Sequence, residues 1–321
     1  MMKPHLIVIG NGMASARFVD VLRQLAATRY RITVIGDEPR ASYNRILLSP
    51  VLSGEKAFTD TLLTPAAIDD DAALPVNYLL GERVTHIDRQ QREVTTMQRQ
   101  LHYDHLVLAT GSTPFMPPMP GIDLAGVCGF RTLDDVELML ATIRRSVPAV
   151  VIGGGLLGIE AAAALQLRGA DVTLLHRVPV LMERQLDATA SDLLCDSLRA
   201  RGIACETDVQ VVALHGDEKG VTAVALADGR TIPAGLVVVT AGVIPASQLA
   251  RDCGLPCNRG VLVDGQLQTA DPYISAIGEC CELNGETFGL VAPCFTHAAL
   301  VAQRLAGHTP KDYQREQAAT R

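Results

Sequence analysis

The sequence predicts an α/β chain built twice from one unit: a short buried strand, a glycine turn and a helix. Three observations carry this reading. Leu6-Ile7-Val8-Ile9 runs into Gly10-Asn11-Gly12-Met13-Ala14-Ser15, Val150-Val151-Ile152 runs into Gly153-Gly154-Gly155-Leu156-Leu157-Gly158, and a helix-like stretch follows each turn. A unit of this kind holds one dinucleotide, with the pyrophosphate on the helix N-terminus. Two such Rossmann-like units suggest two dinucleotides in one chain.

In the first unit a helix is expected near residues 14–25, then a strand over Arg31-Ile32-Thr33-Val34-Ile35 ending at Gly36-Asp37-Glu38. An acid at that strand end, about 20 residues past the turn, suits the ribose hydroxyls. Ser15 stands where a third glycine or alanine is usual, and serine is small enough to keep helix and strand close. Residues 64–75 read as an acidic surface excursion, and residues 76–80 and 83–87 as strands. Leu106-Val107-Leu108-Ala109-Thr110-Gly111 reads as a buried strand closed by a glycine turn. Pro114, Pro117, Pro118 and Pro120-Gly121 stiffen a crossing between domains. The second unit repeats the plan, with Asp171-Val172-Thr173-Leu174-Leu175 followed by His176-Arg177. A hairpin is expected at residues 221–232 around Asp228-Gly229, then a strand into Thr240-Ala241-Gly242. The last apolar run ends in Ala276-Ile277-Gly278-Glu279. A helix is expected from Pro293 to residue 305, and the tail from residue 309 reads as frayed.

A length of 321 residues fits about two domains. The formal net charge of -7 argues against nucleic-acid binding, which wants a basic face. Met1-Met2-Lys3-Pro4 leads directly into the first strand, so no secretory signal is expected. The longest apolar stretch, residues 234–246, contains Gly235, Gly242 and Pro245 and is shorter than the roughly 20 residues of a membrane span. A cytoplasmic location is therefore expected. The eight cysteines include no C-x-x-C, so they are expected to be free structural thiols with no metal site; Cys294 has the weakest structural case.

The order of these motifs resembles the FAD-dependent pyridine-nucleotide disulfide oxidoreductase superfamily over nearly the whole chain. The resemblance implies two Rossmann-like domains of three-layer ββα type, the NAD(P) domain (residues 114–244) inserted into a split FAD domain (residues 1–113 plus 245–321), with the superfamily's C-terminal interface domain absent. Tyr43-Asn44-Arg45-Ile46-Leu47-Leu48-Ser49, Leu181-Met182-Glu183-Arg184-Gln185-Leu186-Asp187 and Gly289-Leu290-Val291-Ala292-Pro293 look like the flavin part of assimilatory NAD(P)H-nitrite reductase large subunits, and like the reductase subunits of assimilatory nitrate reductases.

By that resemblance Gly10, Gly12 and Ser15 cradle the FAD pyrophosphate, Asp37 or Glu38 binds its ribose, and Arg45 stays near the flavin. Val84, Thr110, Gly111 and Gly278 complete the FAD site, Glu279 accepts a hydrogen bond from the ribityl chain, and the helix beginning near Pro293 aims its positive end at the flavin. Gly153, Gly155, Gly158 and Gly242 hold NAD(P). Glu160, read as lying in the first turn of its helix, is either a residue near the nicotinamide or a helix-dipole acid. His176-Arg177 replaces the acid of NAD-specific units; a cation there suits the NADP phosphate, or Arg177 points to solvent, and either NADH or NADPH is accepted.

Residues 40–60 contain no cysteine, so the dithiol relay of glutathione-reductase-like members is missing. Pro50 stands where rubredoxin-reductase-like members often carry lysine. The resemblance thus implies an enzyme, a flavoprotein oxidoreductase passing electrons directly from NAD(P)H through FAD to an iron–sulfur or sirohaem/molybdenum centre on a partner. The rival readings are a rubredoxin or ferredoxin reductase, an NAD(P)H oxidase, and a non-catalytic FAD-binding redox sensor.

Overall fold

The computed structural model describes residues 3–63, 75–143 and 147–314. The excursion expected at residues 64–75 lies, up to residue 74, outside the described residues. The chain forms two compact units: Met1–Asn44, Leu62–Ser112 and Ile244–Arg321 make the first, Arg45–Thr61 and Thr113–Val243 the second. Residues Arg45–Thr61 thus pack with the second unit, although the sequence reading grouped them with the first.

In the first unit the strand His5–Ile9 lies at the centre of a five-stranded parallel sheet, flanked by Arg31–Gly36 then Asn77–Leu80 on one side and His105–Leu108 then Ile274–Ala276 on the other. All five residues of His5–Ile9 are buried, as a strand covered on both faces requires. The helix Met13–Ala26 contributes Phe18 and Leu22, both fully buried, to a core with Leu6, Val8 and Val34 that Ala298 and Val301 of the helix Val291–Ala306 complete. Each Phe, Leu or Val side chain of this core contributes roughly 1.5–3 kcal/mol of burial. On the opposite face Ile7, Ile35 and Leu106 pack against Val84, Ile87 and Val94 of a three-stranded antiparallel sheet (Val84–Asp88, Glu93–Thr96, Gln100–His102).

The second unit has the same plan. Ala149–Ile152 lies between Val172–Leu175 and Leu236–Val239 in a parallel sheet whose edges are Ile203–Glu206 and Val127–Cys128. A three-stranded antiparallel sheet (Val211–Asp217, Gly220–Leu226, Thr231–Pro233) contributes Leu214, Val224 and Leu226 to the core with Val150, Leu175 and Val237. The expected hairpin at Asp228-Gly229 is present.

Two departures from the sequence reading have clear causes. The final helix starts at Val291, two residues before Pro293, because proline's missing N–H costs nothing in a first turn. The tail does not fray at residue 309. Tyr313 N–H donates to the Gly265 carbonyl at 2.7 Å, and its ring packs edge-on to His297 and Phe288, at centroid distances of 4.5 and 5.6 Å. Among the described residues no helix is long and apolar enough to cross a membrane.

Candidate functional site

The first glycine turn leaves the carboxyl end of the central strand at the point where its neighbours diverge to either side. Gly10 has φ +110°, and a Cβ there would lie 2.1 Å from the Ala109 carbonyl oxygen, so only glycine fits. Gly12 is the N-cap of Met13–Ala26, and a Cβ there would meet nothing within 4 Å. No side chain caps this helix. Ser15 is 1% exposed, and its Oγ has no hydrogen-bond partner among the described residues.

The second turn repeats this arrangement more strictly. Gly153 has φ +126°, and its Cβ would press on the Thr240 carbonyl at 2.6 Å. Gly155 is the N-cap of Leu156–Leu167, also uncapped, and its Cβ would meet open space. A Cβ on Gly158 would fall 1.8 Å from the Gly153 carbonyl oxygen, so this glycine lets helix and turn touch. The helix Ala188–Ala200 provides the contrast: Asp187 Oδ1 accepts from Ala190 N–H at 2.8 Å, an ordinary cap. Two helices whose first-turn N–H groups receive no side-chain cap and whose N-cap glycines border open space are chemically suited to a pyrophosphate. That is the fit expected for a dinucleotide in each unit.

Around the first turn, Asp37 is exposed. Glu38 accepts from the Tyr43 hydroxyl at 2.7 Å. Asn11 ties the turn to the segment after the acid: its amide donates to Arg40 O at 3.1 Å and its Oδ1 accepts from Ser42 Oγ at 2.6 Å. Nothing local in the sequence marks Asn11 and Ser42 as partners, since they lie 31 residues apart; Tyr43 and Glu38 are only five apart. Val84 is 8% exposed, its side chain in the core, so only its main chain is available to a ligand.

At the same end of the sheet Thr110 Oγ1 donates to Ala246 O at 2.7 Å and Gly111 takes φ +70°. Ser112 Oγ donates to Glu279 at 2.8 Å, orienting its carboxylate. Glu279 sits on the short turn Gly278–Cys280, whose Gly278 has φ +79°. Behind this turn His297 is fully buried on the final helix; its Nδ1 faces Gly278 N–H at 3.4 Å and the Cys281 thiol at 3.6 Å. Burial alone pushes the imidazole down to about 4, so it is neutral. The N-cap of that helix, Leu290, is 61% exposed and supplies no side-chain cap.

In the second unit the His176 ring turns onto the glycine turn rather than out to solvent. Its Nδ1 accepts from Gly154 N–H at 3.0 Å, which leaves the proton on Nε2, 3.3 Å from the Glu183 carboxylate. That contact falls outside hydrogen-bond geometry. The ring packs on the turn so tightly that a Cβ on Gly154 would lie 2.7 Å from its Cγ. Arg177 is exposed, with no hydrogen bond or ion pair to a described residue. Gly242, φ +120°, has open space at its Cβ.

Glu160 lies in the second turn of its helix, not the first, because the helix begins at Leu156. The helix-dipole reading therefore does not hold. Its carboxylate instead accepts from Ser49 Oγ at 2.7 Å. Arg45 donates to the Arg131 carbonyl at 2.8 Å, and Arg168 donates to Leu52 O at 2.7 Å. These three bonds hold Arg45–Thr61 onto the second unit. All eight cysteines are unbridged, and no metal-binding group of three occurs among the described residues.

Comparison with known proteins agrees with this geometry. The family model for pyridine nucleotide-disulphide oxidoreductase matches residues 4–302. The nitrite reductase [NAD(P)H] of Bacillus subtilis (strain 168) is 41% identical over 98% of this chain and 39% of its own. The assimilatory nitrate reductase electron transfer subunit of the same organism is 39% identical over 98% of this chain and 40% of its own. The chain thus spans about two fifths of the length of these relatives. Among solved structures, the ferredoxin reductase for the CYP199A2 system of Rhodopseudomonas palustris superposes with a TM-score of 0.87 at 33% identity, over 97% of this chain and 78% of its own. With both glycine turns in place and the family model spanning nearly its whole length, the chain belongs to the pyridine nucleotide-disulphide oxidoreductases.

Proposed function

We propose that the first unit holds FAD, that the second binds NADH or NADPH, and that the chain is an NAD(P)H reductase delivering electrons to an iron–sulfur, sirohaem or molybdenum centre on a partner protein or domain in nitrite or nitrate assimilation. The observation that carries this is the pair of uncapped glycine turns, Gly10–Gly12 and Gly153–Gly155, in a chain 41% identical to an NAD(P)H nitrite reductase.

FAD, when bound, supplies a hydride acceptor that can release electrons singly. Gly10, Gly12 and the first-turn N–H groups of Met13–Ala26 would hold its pyrophosphate, with Ser15 keeping helix and strand close. Asp37 or Glu38 would take the ribose hydroxyls. Val84 would offer its main chain, and Thr110, Gly111 and Gly278 would line the sheet end. Glu279, aimed by Ser112, would accept from a ligand hydroxyl. The uncapped start of Val291–Ala306, including Pro293, would favour negative charge by roughly 0.3–1 kcal/mol, more where water is excluded. Gly153, Gly155, Gly158 and Gly242 would accommodate the nicotinamide dinucleotide, with His176 bracing the turn. Glu160 and Arg45 are the candidates beside the reacting rings. The chain's own contribution is alignment and fixed charge rather than proton transfer.

The test is an anaerobic titration of the purified protein with NADH and NADPH, following the visible flavin band. Bleaching is expected. A yellow protein bleached by neither cofactor would overturn the proposal in favour of a sensor. Reconstitution sorts the acceptor: rapid reduction of a ferredoxin or rubredoxin, without reduction of a nitrite or nitrate reductase centre, would move the reading toward the ferredoxin reductases. Bleaching reoxidised only by oxygen would indicate an oxidase.

Arg177, an exposed cation just past the end of the strand Val172–Leu175, is the residue we assign to the NADP phosphate. Arg177→Glu is expected to lower the NADPH/NADH ratio of kcat/KM by about tenfold or more, equivalent to ~1.4 kcal/mol. An unchanged ratio would mean the guanidinium only faces water.

A further inference from the structure

Cys195 and Cys205 lie outside all of the machinery above. Cys195 is on the helix Ala188–Ala200 and Cys205 on the edge strand Ile203–Glu206, and their sulfurs are 3.1 Å apart. Both residues are buried, at 6% and 5% exposure. By contrast, Cys253, Cys257, Cys280 and Cys281 direct their thiols at main-chain carbonyls. We propose that Cys195 and Cys205 form a dithiol–disulfide pair, a modification site of the second unit whose oxidant is a hydroperoxide.

The geometry requires little movement. A disulfide closes at about 2.05 Å, so the sulfurs must approach by roughly 1 Å across a helix–strand contact that is already packed. The chemistry balances in two steps. One thiol sulfur attacks the peroxide oxygen, forming a sulfenic acid and releasing the alcohol, or water from hydrogen peroxide itself. The second thiol displaces the sulfenic hydroxyl as water and forms the S–S bond. Two electrons leave the sulfurs for the peroxide, and both thiol protons end on the released oxygens. Burial pushes the Cys205 thiol up to about 12, so thiolate is scarce and oxidation is slow compared with an exposed catalytic cysteine.

The bond has a defined neighbourhood. Glu206, next to Cys205, accepts through its carbonyl from His176 N–H at 2.9 Å, and its carboxylate pairs with Arg230 at 2.7 Å. His176 in turn holds Gly154 N–H. The disulfide would staple the edge strand that supports the His176-Arg177 turn. The proposal does not depend on which electron acceptor the chain serves.

The full chain, reduced and freed of reductant, is exposed to hydrogen peroxide, denatured, alkylated and weighed. Eight alkylations are expected before oxidation, the cysteine count of the chain, and two fewer after it. A cross-linked peptide pair containing Cys195 and Cys205 and recovery of all sites with dithiothreitol are also expected. Cys195→Ser and, separately, Cys205→Ser should lose no further alkylation sites under the same treatment. Retention of all eight sites in the wild type, loss mapping to another pair, or irreversible oxidation of either sulfur without a cross-link would each overturn the proposal.

Discussion

Gly10→Ala is expected to destabilise the first unit by about 3 kcal/mol and to abolish flavin retention, whereas Gly12→Ala should abolish flavin retention alone. The two glycines sit two residues apart but do different work. At Gly10 the backbone has φ +110°, a region side chains avoid at a cost of order 1–3 kcal/mol. The new methyl would also lie 2.1 Å from the Ala109 carbonyl, in main chain that follows the strand His105–Leu108 and cannot give way without moving the sheet. At Gly12 φ is -93° and a Cβ meets nothing, so the apoprotein should lose no more than about 1 kcal/mol, the cost of alanine in place of glycine at an N-cap. The space the methyl enters is the space assigned to the pyrophosphate. A thermal melt of the apoproteins and a flavin-to-protein absorbance ratio separate the two. Gly10→Ala should lower the melting temperature by about 6–12 °C, at roughly 2–4 °C per kcal/mol for a unit of this size. If Gly12→Ala retains flavin like wild type, the open space before Met13–Ala26 is not the pyrophosphate site.

The parts of this molecule that were legible in the sequence are those fixed by local sterics. Gly10 and Gly153 mark positive φ, a run such as Leu6-Ile7-Val8-Ile9 marks a strand buried on both faces, and Asp37-Glu38 follow at the spacing the fold imposes. What stayed hidden depends on contacts far apart in sequence. Nothing local in Arg45–Thr61 says that Arg168 holds Leu52 O and that Glu160 holds Ser49, so the segment was grouped with its chain neighbours rather than its packing partners. His176 and Arg177 read together as the replacement for the ribose acid; the His176 ring instead accepts from Gly154, 22 residues earlier. The one detectable signal was the middle of the three consecutive glycines, since Gly154 is small where that ring packs. Tyr313 sits in a polar stretch whose composition suggests fraying, and only its main-chain bond to Gly265 and its aromatic contacts reveal the anchoring. His297 gave no signal at all, because a histidine on the apolar face of a helix is indistinguishable from any core residue until its partners are known.

That histidine governs the expected acid sensitivity of the first unit. His297 is fully buried and lies between the edges and faces of Phe288 and Tyr313, each 4.5 Å from its ring centroid, with Cys281 and the Gly278 N–H at Nδ1. No charged side chain offsets the burial that lowers its pKa to about 4. The unfolded chain therefore takes up this proton first as the pH falls below about 6.5, while the folded chain resists until about 4. Stability is complete above the unfolded value and is lost as the pH falls through that window, by up to roughly 3 kcal/mol at 1.36 kcal/mol per unit. His5 and His105, also lowered by burial, act in the same direction. His297→Gln keeps an acceptor for Gly278 N–H but does not titrate, so it should remove most of the slope between pH 6.5 and 4.5 while leaving stability at pH 7.5 within about 1–2 kcal/mol of wild type. Denaturant midpoints at pH 7.5, 5.5 and 4.5 measure this directly. Because His297 braces the turn that carries Glu279, the same acid window should release flavin from the wild type, and His297→Gln should hold it to lower pH. Equal pH slopes in the two proteins would place the acid sensitivity in other groups and leave His297 a packing residue only.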